Sequence, residues 1–239
     1  MSKIYIRAPY KKEYKIKIEH IRNVANHIYA KLEEDAAFYG NNKVSGDIFS
    51  VDDMPCHFLK NTNNEYIEIS DSSKSNIEIK INWQERLKNM QGNLGLAIFR
   101  AYIEKTSSYA VQNYRVKGKE LYVDIGAKDI AFVTLKNLEE LSNYLITANL
   151  DVENRDGTIF IDSIGEIEYS GPALKRTGEI GLILVNDIEK TLNGLRIHLL
   201  AGTNALKTFR ENIALLNNIK SYLNVSSREE IFPAIKKLK

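Results

Sequence analysis

The apolar positions along this chain follow two periods, one near 3.6 and one of two, and each marks out elements. Ile18, Ile21, Ala25, Ile28 and Leu32 recur at three- and four-residue spacing, which predicts an amphipathic helix over 17–38, stopped at Gly40-Asn41-Asn42. Short extended runs are expected at 47–51 and 57–60, across a turn at Asp52-Asp53-Met54-Pro55. Strict alternation over 65–70 and 76–82 predicts a hairpin turning through 71–75, with Ile77, Ile79 and Ile81 on its dry face and Glu78 and Lys80 on its wet face.

Residues 83–106 read as a second helix. Its Gly92 and Gly95, three apart, allow another backbone to approach or mark a break. A hairpin follows, 109–116 with 120–125, closed by Lys117-Gly118-Lys119. Thr134 is positioned to cap a third helix reaching 148. Asn154-Arg155-Asp156-Gly157 is a turn before a strand at 158–162, and 166–169 extends after Gly165. A basic, glycine-bounded loop at 170–178 precedes the most apolar run, 179–185, expected as a central strand. A short helical piece, an extended 195–200 and a long helix over 204–224 complete the pattern. Thr203 is the expected cap of that helix, and Leu206, Phe209, Ile213, Leu216 and Ile219 are its stripe. Ser227-Arg228-Glu229-Glu230 has the form of a capping box for a last helix ending near Lys239. Hairpin connections without βαβ alternation predict an α+β fold, with largely antiparallel sheet and about four helices including a long C-terminal one. Residues 1–239 are read as one domain, with a two-lobe division allowed near 106–109.

Composition sharpens this in three respects. A 44% hydrophobic, 27% charged chain of 239 residues has enough apolar surface for its own core. One cysteine, Cys56, excludes an internal disulfide framework, and no apolar run reaches about 18 residues; a cytoplasmic protein without membrane contact is expected. The net charge is only +2, yet Met1–Arg22 holds seven basic residues against Glu13 and Glu19. Lys11, Lys12, Lys15 and Lys17 interleave with Tyr10 and Tyr14, a pattern suited to phosphate contact and base stacking. Lys175 and Arg176 in the 170–178 loop offer a second basic contact, without a Walker register.

Two short patterns carry catalytic chemistry. Arg22-Asn23-Val24-Ala25-Asn26-His27 is similar to the RNxxxH motif of HEPN-type metal-independent ribonucleases, which implies that Arg22 and His27 act on a scissile phosphate. Within one helix the two side chains diverge by about 140°, so a dimer or a bend is needed to bring them together. Asp71 with Glu78-Ile79-Lys80 resembles the core of PD-(D/E)xK nucleases, which implies Mg²⁺ on Asp71 and Glu78 and Lys80 beside the attacking water; the Asp-to-Glu gap is very short for that family. Asp52-Asp53, and Asp162 with Glu166 and Glu168, are further acidic clusters.

The leading expectation is a non-enzymatic, nucleic-acid-associated or assembly subunit, which contacts phosphate or an acidic protein through the N-terminal basic arm and the 170–178 loop. The first alternative is a nuclease, Mg²⁺-dependent through ExK or metal-independent through RNxxxH; no other cofactor is expected. The second is a self-associating scaffold of viral or mobile-element origin, a homo-oligomer built on Gly92/Gly95 or on strand edges.

Overall fold

The computed structural model describes residues 2–59, 65–118 and 120–237. Lys60, Lys119 and Lys239, each included in an expected run, turn or helix, lie outside the described residues. In chain order the elements are β1 (Ser2–Lys3), α1 (Ile4–Arg7), β2 (Glu13–Val24), β3 (His27–Leu32), β4 (Glu34–Asp35), β5 (Phe49–Val51), β6 (Met54–Pro55), β7 (Ile67–Ile69) and β8 (Asn76–Ile81). There follow α2 (Trp83–Thr106), β9 (Val111–Lys117), β10 (Glu120–Ile125), α3 (Phe132–Ala148), β11 (Glu153–Asn154), β12 (Thr158–Ile161) and β13 (Gly165–Glu168). A 3₁₀ turn at Thr177–Ile180 leads to β14 (Ile183–Thr191), β15 (Gly194–Ala201), α4 (Gly202–Leu223) and α5 (Ile231–Lys237). The fold is α+β, and apart from the short parallel β1–β4 pair the named strands pair antiparallel.

A six-stranded sheet has the order β6-β5-β8-β2-β3-β7. Its inner face follows from alternation: Tyr14 and Ile16 of β2 stand opposite Ile79 and Ile77 of β8, all buried. The outward pairs between them are charge-matched, Glu13 opposite Lys80 and Lys15 opposite Glu78. A four-stranded sheet, β14-β15-β10-β9, and a three-stranded one, β11-β12-β13, form the second half of the molecule around α2. The apolar core correspondingly falls into two clusters, one from residues between Tyr14 and Ile81 and one from Met90 to Ala201 joined by Val44.

Six expectations are corrected. Residues 17–38 form the β2–β3 hairpin, not a helix. A β-bulge between Ile18 and His20 shifts the alternation by one, so Ile18 and Ile21 acquire a helix-like spacing of three. The strands at 67–69 and 76–81 do not pair with each other: β7 joins β3, while β8 lies between β2 and β5. Residues 179–185 are the end of the 3₁₀ turn and the start of β14, which is an edge strand, and the piece before residue 195 is strand and turn, not helix. The turn at Asn193-Gly194 brings the backbone so close that a Cβ on Gly194 would meet the Ile125 carbonyl oxygen at 2.0 Å. Thr134 lies inside α3, whose N-cap is Ala131, and α4 begins at Gly202, one residue ahead of its expected cap, Thr203.

Candidate nucleic-acid interface

The expected basic segments lie about 160 residues apart in sequence, and α2 brings them together. Asn82 caps this helix by accepting the Glu85 N–H at 3.3 Å, which places Trp83 at its first position. One turn on, Arg86 is fully buried and makes a two-pronged ion pair with Asp47, Nε to Oδ1 at 2.9 Å and Nη2 to Oδ2 at 2.5 Å. Burial works against its charge, but the Asp47 carboxylate outweighs burial and holds the guanidinium above its ordinary pKa. The same guanidinium donates to the Pro9, Lys11 and Ala36 carbonyls at 3.4, 3.4 and 3.1 Å, fixing the start of the basic arm against α2.

The loop is fastened to the same helix. Gln91 donates to the Glu179 carbonyl at 3.0 Å, Asn93 to the Ser170 carbonyl at 2.8 Å and Arg100 to the Glu168 carbonyl at 3.0 Å. Gly171–Leu174 and Thr177 are buried, and the Thr177 hydroxyl donates to the Leu145 carbonyl at 2.8 Å. This loop is therefore a packed element from which only Lys175, Arg176 and Glu179 project.

Arm, helix and loop converge on two rings. Tyr10 and Trp83 lie 5.8 Å apart between centroids. Lys12 stands over Trp83 at 5.3 Å and Lys175 over Tyr10 at 5.7 Å, while Lys11 stands over the neighbouring Tyr14 at 5.1 Å. The Tyr10 hydroxyl locks the arrangement: it donates to the Glu179 carboxylate at 2.7 Å and accepts the Lys175 N–H at 2.7 Å. Burial pushes its pKa well above the ordinary phenol value.

The expected basic residues then separate by what they touch. Lys17 is paired with Glu33 at 2.5 Å, and Arg176 with Asp151 at 3.0 Å and with the Asn149 carbonyl. Lys11, Lys12 and Lys175 enter no ion pair among the described residues and stand over rings instead. Lys15 lines a groove of about 590 Å³ on the outer sheet face, with Lys74, Ser73, Asp52 and Glu78.

Of the ExK residues, Glu78 lines that groove. Lys80 contacts Asp53 at 2.7 Å and Glu78 at 3.7 Å. Asp71 accepts the Ser73 N–H and hydroxyl, both at 2.8 Å, and these bonds hold its carboxyl below the ordinary range. Asp52 accepts the Glu78 N–H and the Lys74 ammonium. Among the described residues, no three His, Cys, Asp or Glu side chains are placed to hold one metal ion.

The RNxxxH residues occupy the tip of the β2–β3 hairpin. Arg22 pairs with Tyr29 and Val24 with His27, which places Arg22 and His27 on one sheet face as diagonal neighbours, about 7–8 Å apart at the backbone. Arg22 lies 4.8 Å from the Tyr66 ring centroid, and His27 Nδ1 is 2.6 Å from Glu68 Oε1. His20 shares this face, with Nδ1 3.3 Å from the Tyr66 hydroxyl.

Arg86, Trp83 and Glu179, which shape this candidate interface, carry no short-range motif. The sequence signal for Trp83 was its place directly after the capping Asn82. Among the described residues no helix is long and apolar enough to cross a membrane. Compared with known protein families and with curated proteins, the sequence matches none.

Proposed function

We propose that this protein is a nucleic-acid-associated subunit that grips a phosphate backbone with Lys11, Lys12 and Lys175 and rests a base on the Tyr10–Trp83 pair. The observation that carries this reading is the convergence of lysines without carboxylate partners, from two distant segments, around one pair of aromatic rings. Cations supply affinity through release of counterions, and rings supply stacking that tolerates any base. The carboxylate next to this patch, Glu179, is engaged by the Tyr10 hydroxyl and the Arg176 N–H.

The test is a native and a denaturing gel of labelled single- and double-stranded RNA and DNA, each with Mg²⁺ or EDTA. A salt-sensitive shift without cleavage supports a binding subunit. If Lys11→Gln/Lys12→Gln/Lys175→Gln shifts every probe as the parent does, the interface is wrongly placed.

A second reading has its own support. Arg22 and His27, which a helix would have splayed apart, share one face of the hairpin tip, and Glu68 engages the imidazole at Nδ1, leaving Nε2 for proton transfer. Under this reading the protein cleaves RNA in EDTA, and His27→Ala abolishes the cleavage while leaving the gel shift intact.

A further inference from the structure

Next to the Tyr10–Trp83 pair lies a cavity of about 360 Å³, enclosed by Ile6 and Pro9 of the arm, the extended stretch Asp151–Asn154 and Ala173–Lys175 of the loop. It is continuous with the proposed interface, since Pro9 precedes Tyr10 and the Lys175 ammonium stands over the Tyr10 ring. The walls are apolar and fixed. Pro9, Val152, Ala173 and Leu174 are buried, and the arm is tied down on both sides of Ile6: Lys3 contacts Asp156 at 2.7 Å, and the Pro9 carbonyl accepts from Arg86 at 3.4 Å.

The rim is polar. Alternation puts Asp151 and Glu153 on one side of their stretch, both exposed, with Val152 turned into the core between them. Each carboxylate is held through one oxygen, Asp151 Oδ1 by Arg176 at 3.0 Å and Glu153 Oε2 by Arg155 at 2.6 Å. The two arginines offset the negative charges, and Asp151 Oδ2 and Glu153 Oε1 keep their acceptor capacity.

We propose that this pocket receives a guanine base of a single strand, the neighbour of the base that rests on Tyr10 and Trp83; the inference rests on that reading. A cavity of this size accepts a small organic group such as a nucleobase. Among the four common bases, guanine presents two adjacent N–H donors on its Watson–Crick edge, N1–H and the 2-amino group, and these match the two carboxylates at the rim. Adenine and cytosine place a ring-nitrogen lone pair beside their amino group, and uracil has one N–H between two carbonyls, so each turns an acceptor toward the carboxylates. The same edge is occupied in a duplex, which restricts the site to unpaired strands. Lys175, at the mouth, then holds the phosphate between the two bases.

The test is a titration of the full chain, followed by Trp83 fluorescence, with an oligouridylate and with the same strand carrying one guanosine, one inosine or one adenosine. Deoxyribose counterparts separate DNA from RNA as the source of the base. The guanosine strand is expected to bind about tenfold tighter than the oligouridylate. Inosine, which lacks only the 2-amino group, loses most of that gain, and adenosine loses all of it. Asp151→Ala/Glu153→Ala and, separately, Ile6→Trp, which fills the pocket from the arm side, each abolish the preference, with circular-dichroism melts confirming that both variants are folded. Equal binding of guanosine and uridine strands, or a preference that survives both variants, would overturn the pocket and leave the Tyr10–Trp83 reading standing. No binding of any strand would overturn both.

Discussion

α2 and α4 are almost equally long, 24 and 22 residues, yet one is enclosed by the protein and the other is nearly bare. Fourteen residues of α2 are buried, four of them polar or charged: Arg86, Gln91, Asn93 and Arg100. A polar group in a core is retained only when its hydrogen bonds are satisfied. All four donate to backbone carbonyls, in the basic arm, at Ala36 and in the 168–179 stretch; Arg100 Nε is the exception, buried without a hydrogen-bond partner among the described residues while its guanidinium lies over the Tyr114 ring at 3.7 Å. The buried polar residues of α2 therefore decide where the surface lysines stand. In α4 the arrangement is reversed: only Gly202 and Ala205 are buried, and Leu206, Phe209, Leu215 and Tyr222 are exposed. The two helices thus differ in what they place on the less expected side: polar groups inside α2 fix the neighbouring segments, and apolar groups of α4 stay at the surface.

The most severe way to break this contrast is Arg86→Ala, which leaves the Asp47 carboxylate buried without its cation. A loss of about 3–5 kcal/mol is expected in urea denaturation, and the arm is expected to detach from Trp83. Gly95→Leu comes next. A Cβ there already lies 3.2 Å from Ile183 and 3.3 Å from the Ala201 methyl, so a larger side chain overpacks the helix against the four-stranded sheet, costing about 1–3 kcal/mol in the same measurement. Phe209→Ser in α4, by contrast, should change the stability of the dilute monomer by less than about 0.5 kcal/mol; a larger loss would mean that α4 is part of the body.

A turn that touches neither helix supplies the smallest effect. Ser73 lowers the folded-state pKa of Asp71, so the turn contributes stability above the ordinary carboxyl value and loses it as pH falls through the lowered one. Asp71→Asn is expected to flatten that acid-side decline in an acid titration followed by circular dichroism, the small deficit against the parent being present above the ordinary carboxyl value and vanishing below the lowered one.

The helical half of the molecule was legible from periodicity. α2 has the bounds that its pattern predicts, and α3 and α4 lie within a few residues of theirs. The hairpins were harder because local exceptions disguise them. The bulge at Ile18/His20 imitates a helical repeat, and Ala25, in a left-handed conformation at φ 53°, turns β2 into β3 without a glycine. Of the interface, the lysines could be read as a cluster, since Lys11 and Lys12 are adjacent. Their meeting with Lys175 could not, because it depends on carbonyl contacts from Gln91 and Asn93, which look in sequence like ordinary polar helix residues.

Trp83 is the only tryptophan in the chain and stands at the centre of the proposed interface, so its fluorescence tests the central claim most directly. Titration with a short single-stranded oligonucleotide at several salt concentrations should quench it. The slope of log affinity against log salt should fall by about 0.7 for each of Lys12→Gln and Lys175→Gln. Unchanged fluorescence despite a gel shift, or slopes that neither substitution alters, would contradict the account.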